Sequence, residues 1–254
     1  MKSILFLVIF VSVAIGQTGL RKDRQVLVDF RSNHESTPLK IAPATQRAVL
    51  SKIFRRYLTD QNQCKSDFDW SNAGDPLAAA RKAGQIVPSI SSMATGSFTA
   101  AGQTQTAYVI SVNECNASHA DNFGTKRVAI FSGQQLVADV DSDFMREIVR
   151  KTDLNLDGID ELLMVSGDMA QGTLIEMATL VSFQNGRRRV LQEFGTVVED
   201  SCASGFQGSN SKASVLYIPT TVAPGLMPKI IQDNYVASCR NAKRWRFTST
   251  GTMQ

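Results

Sequence analysis

An acidic stretch in the middle of the chain constrains its fold more than any other feature. Residues 153–161 read Asp-Leu-Asn-Leu-Asp-Gly-Ile-Asp-Glu. Oxygen-bearing side chains occupy the first, third, fifth and ninth positions, and Gly158 occupies the sixth. Alternating oxygen ligands, with a glycine that permits a sharp turn, allow a chain to curl around a hard cation.

The oxygen donors of this stretch predict a calcium site, since calcium takes about 6–8 oxygen ligands at roughly 2.3–2.6 Å. We predict that Ile159 contributes its carbonyl oxygen and that the other ligands are side chains. The predicted ligands are Asp153, Asn155, Asp157, Ile159 and Glu161. Asp160, at an even position, should point away from the ion. The alternative is a turn without metal, because Asn, Asp and Gly are common turn formers.

The residues after the acidic stretch distinguish it from a helix-loop-helix calcium site. Such a site needs a bidentate glutamate at position twelve, where this chain has Met164. Residues 162–165 form a short apolar run that is typical of a buried strand. The whole segment resembles the FG-GAP or VCBS repeat of integrin α-chain propellers and exported bacterial proteins, in which D-x-N-x-D-G-x-x-[DE]-L precedes an apolar strand. The resemblance implies a structural calcium ion between strands of a β-meander.

Two other segments have a similar outline. Residues 98–102 lead into the apolar run 107–110, and Gly102 and Gly158 are 56 residues apart. A fainter copy is residues 206–210, before the apolar run 215–218. The outer copies lack the aspartates, so only the middle one should bind metal. Typical propellers have about 4–8 blades, so three units are too few to close one. We therefore predict an open or sandwiched antiparallel sheet.

Apolar runs between turn-forming residues predict a mainly β fold of antiparallel meanders, with propeller-blade-like repeats and one or two N-terminal helices. Turns are expected at residues 132–133, 167–168 and 185–186. Residues 144–149 fit a strand or a helical turn, and the repeat pattern favours a strand. The other predicted strands are residues 108–112, 127–131, 136–140, 162–165, 173–183, 190–194, 215–218, 229–232 and 244–247.

The N-terminal part of the chain has a different pattern. Residues 1–16 combine a basic tip, a short apolar core and small residues, as in a secretory signal peptide. We divide the remainder into a polar leader and helical segment, residues 17–95, and a β-repeat domain, residues 96–254. Apolar residues at helical spacing predict a helix over 43–58, and a second, shorter helix is expected over about 75–84.

Composition limits the compartment and the partners. The formal charge is +4, and no stripe of basic and aromatic residues indicates nucleic-acid binding. After removal of the signal peptide, no long apolar segment remains for stable membrane insertion. Four cysteines in an exported chain suggest disulfides, and we favour Cys202 with Cys239, leaving Cys64 with Cys115. These features predict a secreted or periplasmic protein.

Two functions fit the sequence. The first is a non-enzymatic binding or scaffold protein, stabilised by calcium, with an unidentified protein or glycan ligand. The alternative is a secreted hydrolase with its site in residues 113–124, a polar loop that contains Cys115 and His119. No nucleophile-elbow, phosphate-loop or zinc-protease motif supports the alternative.

Overall fold

The computed structural model describes residues 23–32, 39–53, 86–114, 125–204, 208–239 and 244–252. The described residues form twelve strands, one helix and two short 3-10 turns, which confirms the predicted mainly β, antiparallel fold. The helix is α1 (Pro43–Ile53). The strands are β1 (Arg24–Asp29), β2 (Ile86–Gly96), β3 (Gln105–Glu114), β4 (Thr125–Ser132), β5 (Gln135–Asp141), β6 (Glu147–Thr152), β7 (Glu161–Ala170), β8 (Thr173–Ser182), β9 (Arg189–Asp200), β10 (Asn210–Pro219), β11 (Ile231–Ser238) and β12 (Arg246–Thr252).

The strands form two antiparallel sheets. Strands β2 to β5 form a four-stranded meander, and β6 to β12 form a longer meander that β1 joins by pairing with β10. Strands β9 and β10 pair only at residues 211–213 of β10. Strand β1 pairs with residues 215–219 of β10, on the edge opposite β11. Within the described residues, the strands therefore fall into three groups of four, and neither sheet closes into a barrel or propeller.

Residues 161–166 of β7 are buried, and the strand contributes side chains to two cores. Successive side chains of a strand point to opposite faces. Leu162 and Met164 enter the core between the two sheets, whereas Leu163 and Val165 enter a second core with residues of β1, β8, β9 and β10. All four are 0–1% exposed. The predicted buried strand over residues 162–165 is confirmed, and its unbroken apolar run follows from burial on two sides.

Helix α1 packs on the other face of the four-stranded sheet. Val49 and Leu50 are buried there against Tyr108, Ile110 and Phe131. The proline at the first helical position has a φ suited to a helix start and lacks the N–H that would be unpaired there. The predicted helix over 43–58 is confirmed as far as residue 53. Residues 54–58, the second predicted helix and the predicted signal peptide lie outside the described residues.

The predictions for the N-terminal segment are wrong at two strands. Part of the expected irregular leader, residues 17–40, forms β1, and β2 lies in the segment expected to be polar and helical. Leu27 and Val28 of β1 are buried in the second core. Strand β1 has only six residues and gains its order from pairing with β10, some 190 residues away. Strand β2 contains Pro88 and several serines, which have low strand propensity.

The turn predicted at residues 167–168 is also wrong. Strand β7 continues to Ala170, and the turn to β8 is formed by Gln171 and Gly172, both with positive φ. A Cβ on Gly167 would lie 2.6 Å from Nη2 of Arg146, so this glycine makes room for a guanidinium group.

Strands β6, β11 and β12 each begin two or three residues later than expected. The strand alternative is confirmed for residues 147–149, and the Asn185–Gly186 turn is confirmed.

The favoured disulfide is present. The sulfur atoms of Cys202 and Cys239 are 2.08 Å apart, and their bond links the turn after β9 to the end of β11. Cys64 and Cys115 lie outside the described residues. No helix in the described ranges is long and apolar enough to cross a membrane.

Replacement of Gly96 by alanine should destabilise the junction of the two sheets. A Cβ at this position would overlap Oδ2 of Asp160 and lie 2.8 Å from Cδ of Lys151. We expect G96A to lower the free energy of unfolding by about 1–3 kcal/mol, as overpacking does. Urea denaturation followed by circular dichroism measures the change.

The matched control is G251A, also in a strand. A Cβ there would meet its nearest atom, the carbonyl oxygen of Gln232, at 3.7 Å, which is ordinary contact. This variant should stay within about 0.5 kcal/mol of the wild type. Equal destabilisation by the two substitutions would show that strand glycines matter here for a reason other than packing.

Candidate metal-binding loop

The acidic stretch forms the loop between β6 and β7. Thr152 and Glu161 pair across its base as the last residue of β6 and the first of β7. Leu154 and Ile159 are 2% and 6% exposed, so two apolar side chains fix the loop to the protein. Leu156 is 53% exposed between them. The chain can curl this tightly because Leu156 and Gly158 both have positive φ.

Hydrogen bonds from the backbone hold the curl. The two carboxylate oxygens of Asp153 accept the N–H groups of Asp157, at 3.1 Å, and Gly158, at 2.8 Å. Oδ1 of Asp157 accepts the N–H of Ile159 at 2.8 Å. Asn155 accepts the Asp157 N–H at 3.2 Å, and its Nδ2 donates to Oδ2 of Asp157 at 3.0 Å. The three predicted ligand side chains at the first, third and fifth positions therefore lie in one curl.

Glu161 closes the loop from inside the protein. It is 2% exposed, and its Oε2 accepts the N–H of Leu154 at 2.9 Å. Burial raises the pKa of Glu161 to about 7, the Leu154 N–H opposes this shift, and the charges of Asp157 and Asp153 add to it. The loop thus contains a buried carboxyl group whose ionised form is disfavoured by its surroundings and by two nearby carboxylates.

Asp160 points away from the curl, as predicted. Its Oδ2 accepts the N–H of Ser97 at 2.8 Å, and its own N–H donates to the Ser97 carbonyl at 2.6 Å. Its other carboxylate oxygen lies 3.6 Å from Nζ of Lys151. Ser97 belongs to the connection between β2 and β3, so Asp160 joins the loop to the four-stranded sheet. On another side, the Asn155 carbonyl accepts the N–H of Gly225, from the connection between β10 and β11.

The side chains of the loop have the donor atoms that suit calcium, whereas their arrangement in this structure does not suit it. Its side chains supply carboxylate and amide oxygens, the hard donors that calcium prefers. Across the described part of the chain, however, no group of three or more His, Cys, Asp or Glu side chains is arranged to hold a metal ion. The oxygens of Asp153 are directed at N–H groups of the loop instead. The metal-ligand assignment of residues 153–161 therefore stays a prediction.

The connection between β2 and β3 is closed in the same way as the acidic loop. Gly96 pairs with Gln105 across its base, as Thr152 pairs with Glu161. The Phe98 N–H donates to Oε1 of Gln105 at 2.9 Å, the same distance as between Leu154 and Glu161. Each of these positions lies 56 residues before its counterpart. The repeat outlined by Gly102 and Gly158 thus corresponds to two equivalent loops, and both glycines have positive φ.

Gln105 is the structural counterpart of Glu161, and sequence reasoning missed it. It is 3% exposed, and its Oε1 also accepts the N–H of Thr99 at 2.9 Å. It follows Gly102 by three residues, as Glu161 follows Gly158, and that spacing could have revealed it. A neutral amide therefore closes the first loop, so the closing hydrogen bond of such a loop does not require a charge.

Comparison of the chain with known protein families, curated proteins and solved structures found no match. The resemblance to the FG-GAP or VCBS repeat stays a prediction. Residues 115–124, which contain Cys115 and His119, lie outside the described residues, and so does His34. The hydrolase alternative is therefore also untested. The third copy, around residues 206–210, is described only from residue 208.

Glu161 should make the metal-free protein less stable as the pH rises. Its pKa is about 7 in the folded chain against an ordinary value of 4.5. Between these values the folded state keeps a proton that the unfolded state releases, so stability present below pH 4.5 is lost towards pH 7. Urea denaturation in chelator should show a fall of roughly 3 kcal/mol at most.

The control is E161Q, which places in the second loop the amide that the first loop has. It should fold, lose this component of the pH dependence and exceed the wild type in stability at pH 7.5 in chelator. If the free energy of unfolding changed with pH in the same way in both proteins, Glu161 would not be the titrating group.

Proposed function

We propose that the chain is an exported, non-enzymatic binding or scaffold protein in which calcium stabilises the loop of residues 153–161. The observation that carries the proposal is the difference between two loops that are closed by the same pairing and the same hydrogen bond. One is closed by Gln105 and has no aspartates, whereas the other is closed by Glu161 and adds Asp153 and Asp157. Asp153 and Asp157 accept backbone N–H groups of the curl, but since an amide suffices for the closing bond, the carboxylate of Glu161 needs another reason.

The electrostatics of the loop supply that reason. A carboxylate that leaves water loses solvation free energy unless a positive charge or several hydrogen bonds compensate. Glu161 is buried near two other carboxylates, and Lys151 lies against Asp160, outside the curl. A bound cation would offset the repulsion and favour the ionised form of Glu161.

The residues that would hold the ion are those predicted from the sequence: Asp153, Asn155, Asp157, Ile159 and Glu161. Calcium, when bound, neutralises the carboxylates and fixes the turn. The chain itself positions the loop through the buried side chains of Leu154 and Ile159. Since Asp153 and Asp157 now bond the backbone of the curl, binding would require them to share their oxygens between N–H groups and the ion. This role is structural.

An exported location is supported by two independent features. Residues 1–16 have the pattern of a secretory signal peptide. The Cys202–Cys239 disulfide suits an oxidising compartment, such as the extracellular space or the periplasm. A β-rich scaffold with a structural ion fits binding of a protein or glycan in that compartment.

Calcium should raise the stability of the purified protein. An ion at 100 times its dissociation constant adds about 2.7 kcal/mol to the free energy of unfolding. For a chain of this size, the melting temperature should rise by roughly 5–10 °C relative to chelator. Differential scanning calorimetry with calcium and with chelator measures the shift, and D157A should abolish most of it because Asp157 is a central predicted ligand.

The matched control is D168A, which removes an exposed carboxylate from β7 outside the loop. It should keep the full calcium shift. A wild-type melting temperature that is the same with calcium and with chelator would contradict a calcium site at residues 153–161. So would a D157A variant whose melting temperature rises with calcium as much as that of the wild type.

A further inference from the structure

Strand β12 is the last strand of the larger sheet, and its outer edge has no partner strand among the described residues. Its inner edge pairs with β11 along residues 246–252. The backbone N–H and C=O groups of alternate residues therefore point away from the sheet. No backbone hydrogen bond from elsewhere in the described chain reaches them. Such an edge offers a row of donors and acceptors that fits an extended peptide backbone.

The other sheet edges in the described part of the chain are covered or charged. Where β2 meets β6, the Ile148 N–H donates to Ser92 Oγ at 3.1 Å. Strand β5 carries Asp139 and Asp141, and β1 has a charged residue at each end. Such features protect strand edges from pairing with other chains. Strand β12 has no acidic residue and no proline, and Arg246 is its single charged residue.

One bulge interrupts β12 and leaves an aromatic side chain in solvent. The register with β11 shifts at Thr248, so residues 249–252 form a regular run and Phe247 lies beyond the bulge. Phe247 is 55% exposed. Its ring lies edge-on to Tyr235, with 5.8 Å between the ring centroids. An apolar side chain of an added strand would bury the exposed part of Phe247.

The positive charge at the start of β12 adds a requirement for the ligand. Arg244 and Arg246 are exposed, and neither forms an ion pair with a described side chain. The strand pairings in both sheets are antiparallel. A strand added in the same manner would have its C-terminal end beside Arg246. A carboxylate at that end would form a charge-assisted hydrogen bond with the guanidinium group.

We infer that the outer edge of β12 binds an extended peptide of another protein. The peptide pairs antiparallel with residues 249–252, places an apolar residue at Phe247 and ends with a carboxylate at Arg246. A second copy of this chain fits less well, because its β12 has no acidic residue to meet Arg246. The inference deepens the proposed binding role, since it names the class of partner, and it rests on that role.

Selection from random linear heptapeptides displayed on phage tests the class of ligand. The full disulfide-bonded chain is immobilised in calcium. We expect enrichment of Val, Ile, Thr and aromatic residues, which favour strands, followed by Asp or Glu towards the C-terminal end. The same selection on R246E should lose the preference for Asp or Glu. Absence of a common pattern, or a preference for Asp or Glu that R246E retains, would overturn the inference.

N-methylation of one selected peptide tests whether its backbone pairs with β12. Two peptides carry N-methyl groups on alternate residues, in the two possible frames. The frame that methylates the N–H groups facing β12 should lower the affinity by about tenfold or more, as measured by calorimetry. The other frame methylates N–H groups that face solvent and should stay within about twofold of the parent peptide. Equal affinities in the two frames would overturn the inference.

Charge reversal tests the direction of the bound peptide. R246E should bind the selected acidic peptide about fivefold more weakly. It should also prefer a peptide in which lysine replaces the acidic residue. The matched control is R187E, which reverses an exposed arginine between β8 and β9 and should bind like the wild type. Unchanged melting temperatures would show that both variants fold, and an equal loss in R187E would contradict a contact with Arg246.

Two measurements on the same samples separate this inference from its alternatives. Sedimentation equilibrium should show a monomer, and a dimer that excludes the peptide would overturn the inference by assigning the edge to a second copy. The calcium shift in melting temperature tests the metal site independently. Peptide binding that depends on residue 246, without a calcium shift, would refute only the metal site. A calcium shift without peptide binding would refute only the role of the β12 edge.

Discussion

The burial of β7 on both faces is the constraint on which the rest of the structure depends. A strand that packs between two cores must begin and end at fixed positions, because a slip by one residue would exchange its two faces. Its first residue, Glu161, is therefore held in the protein interior, where its carboxyl group is 2% exposed and bonds the backbone of Leu154. The acidic loop therefore curls beside a buried carboxyl group.

The two equivalent loops show how one scaffold can carry two chemistries. The base pair of residues, the closing hydrogen bond and a glycine with positive φ are shared. What differs is the charge of the closing side chain and the aspartates at positions 153 and 157. A few side chains can thus change the electrostatics of a loop while the fold is retained. The first loop therefore serves as an internal reference for the second.

Local sequence patterns predicted the elements whose apolar spacing or turn-forming residues can be read directly along the chain. The apolar run of β7, the helical spacing of α1 and the Asn185–Gly186 turn are of this kind. Strand β1 was not predictable, because its partner β10 lies far away in the sequence. Strand β2 pairs with its neighbour β3, and it was missed because Pro88 and several serines conceal the strand pattern. In the loop, spacing alone predicted that Asp160 points outward. It could not show that Asp153 bonds the backbone of the curl.

The position of the loop implies that an ion bound there would act on the whole molecule. The loop belongs to the β6–β9 group of strands. Through Asp160 it bonds Ser97 of the β2–β5 group, and through the Asn155 carbonyl it bonds Gly225, between β10 and β11. Loosening the curl would therefore weaken contacts to all three groups at once. Free energy gained by fixing such a junction adds to the stability of the cooperative unit, whereas the same gain at an exposed loop tip would affect only local opening.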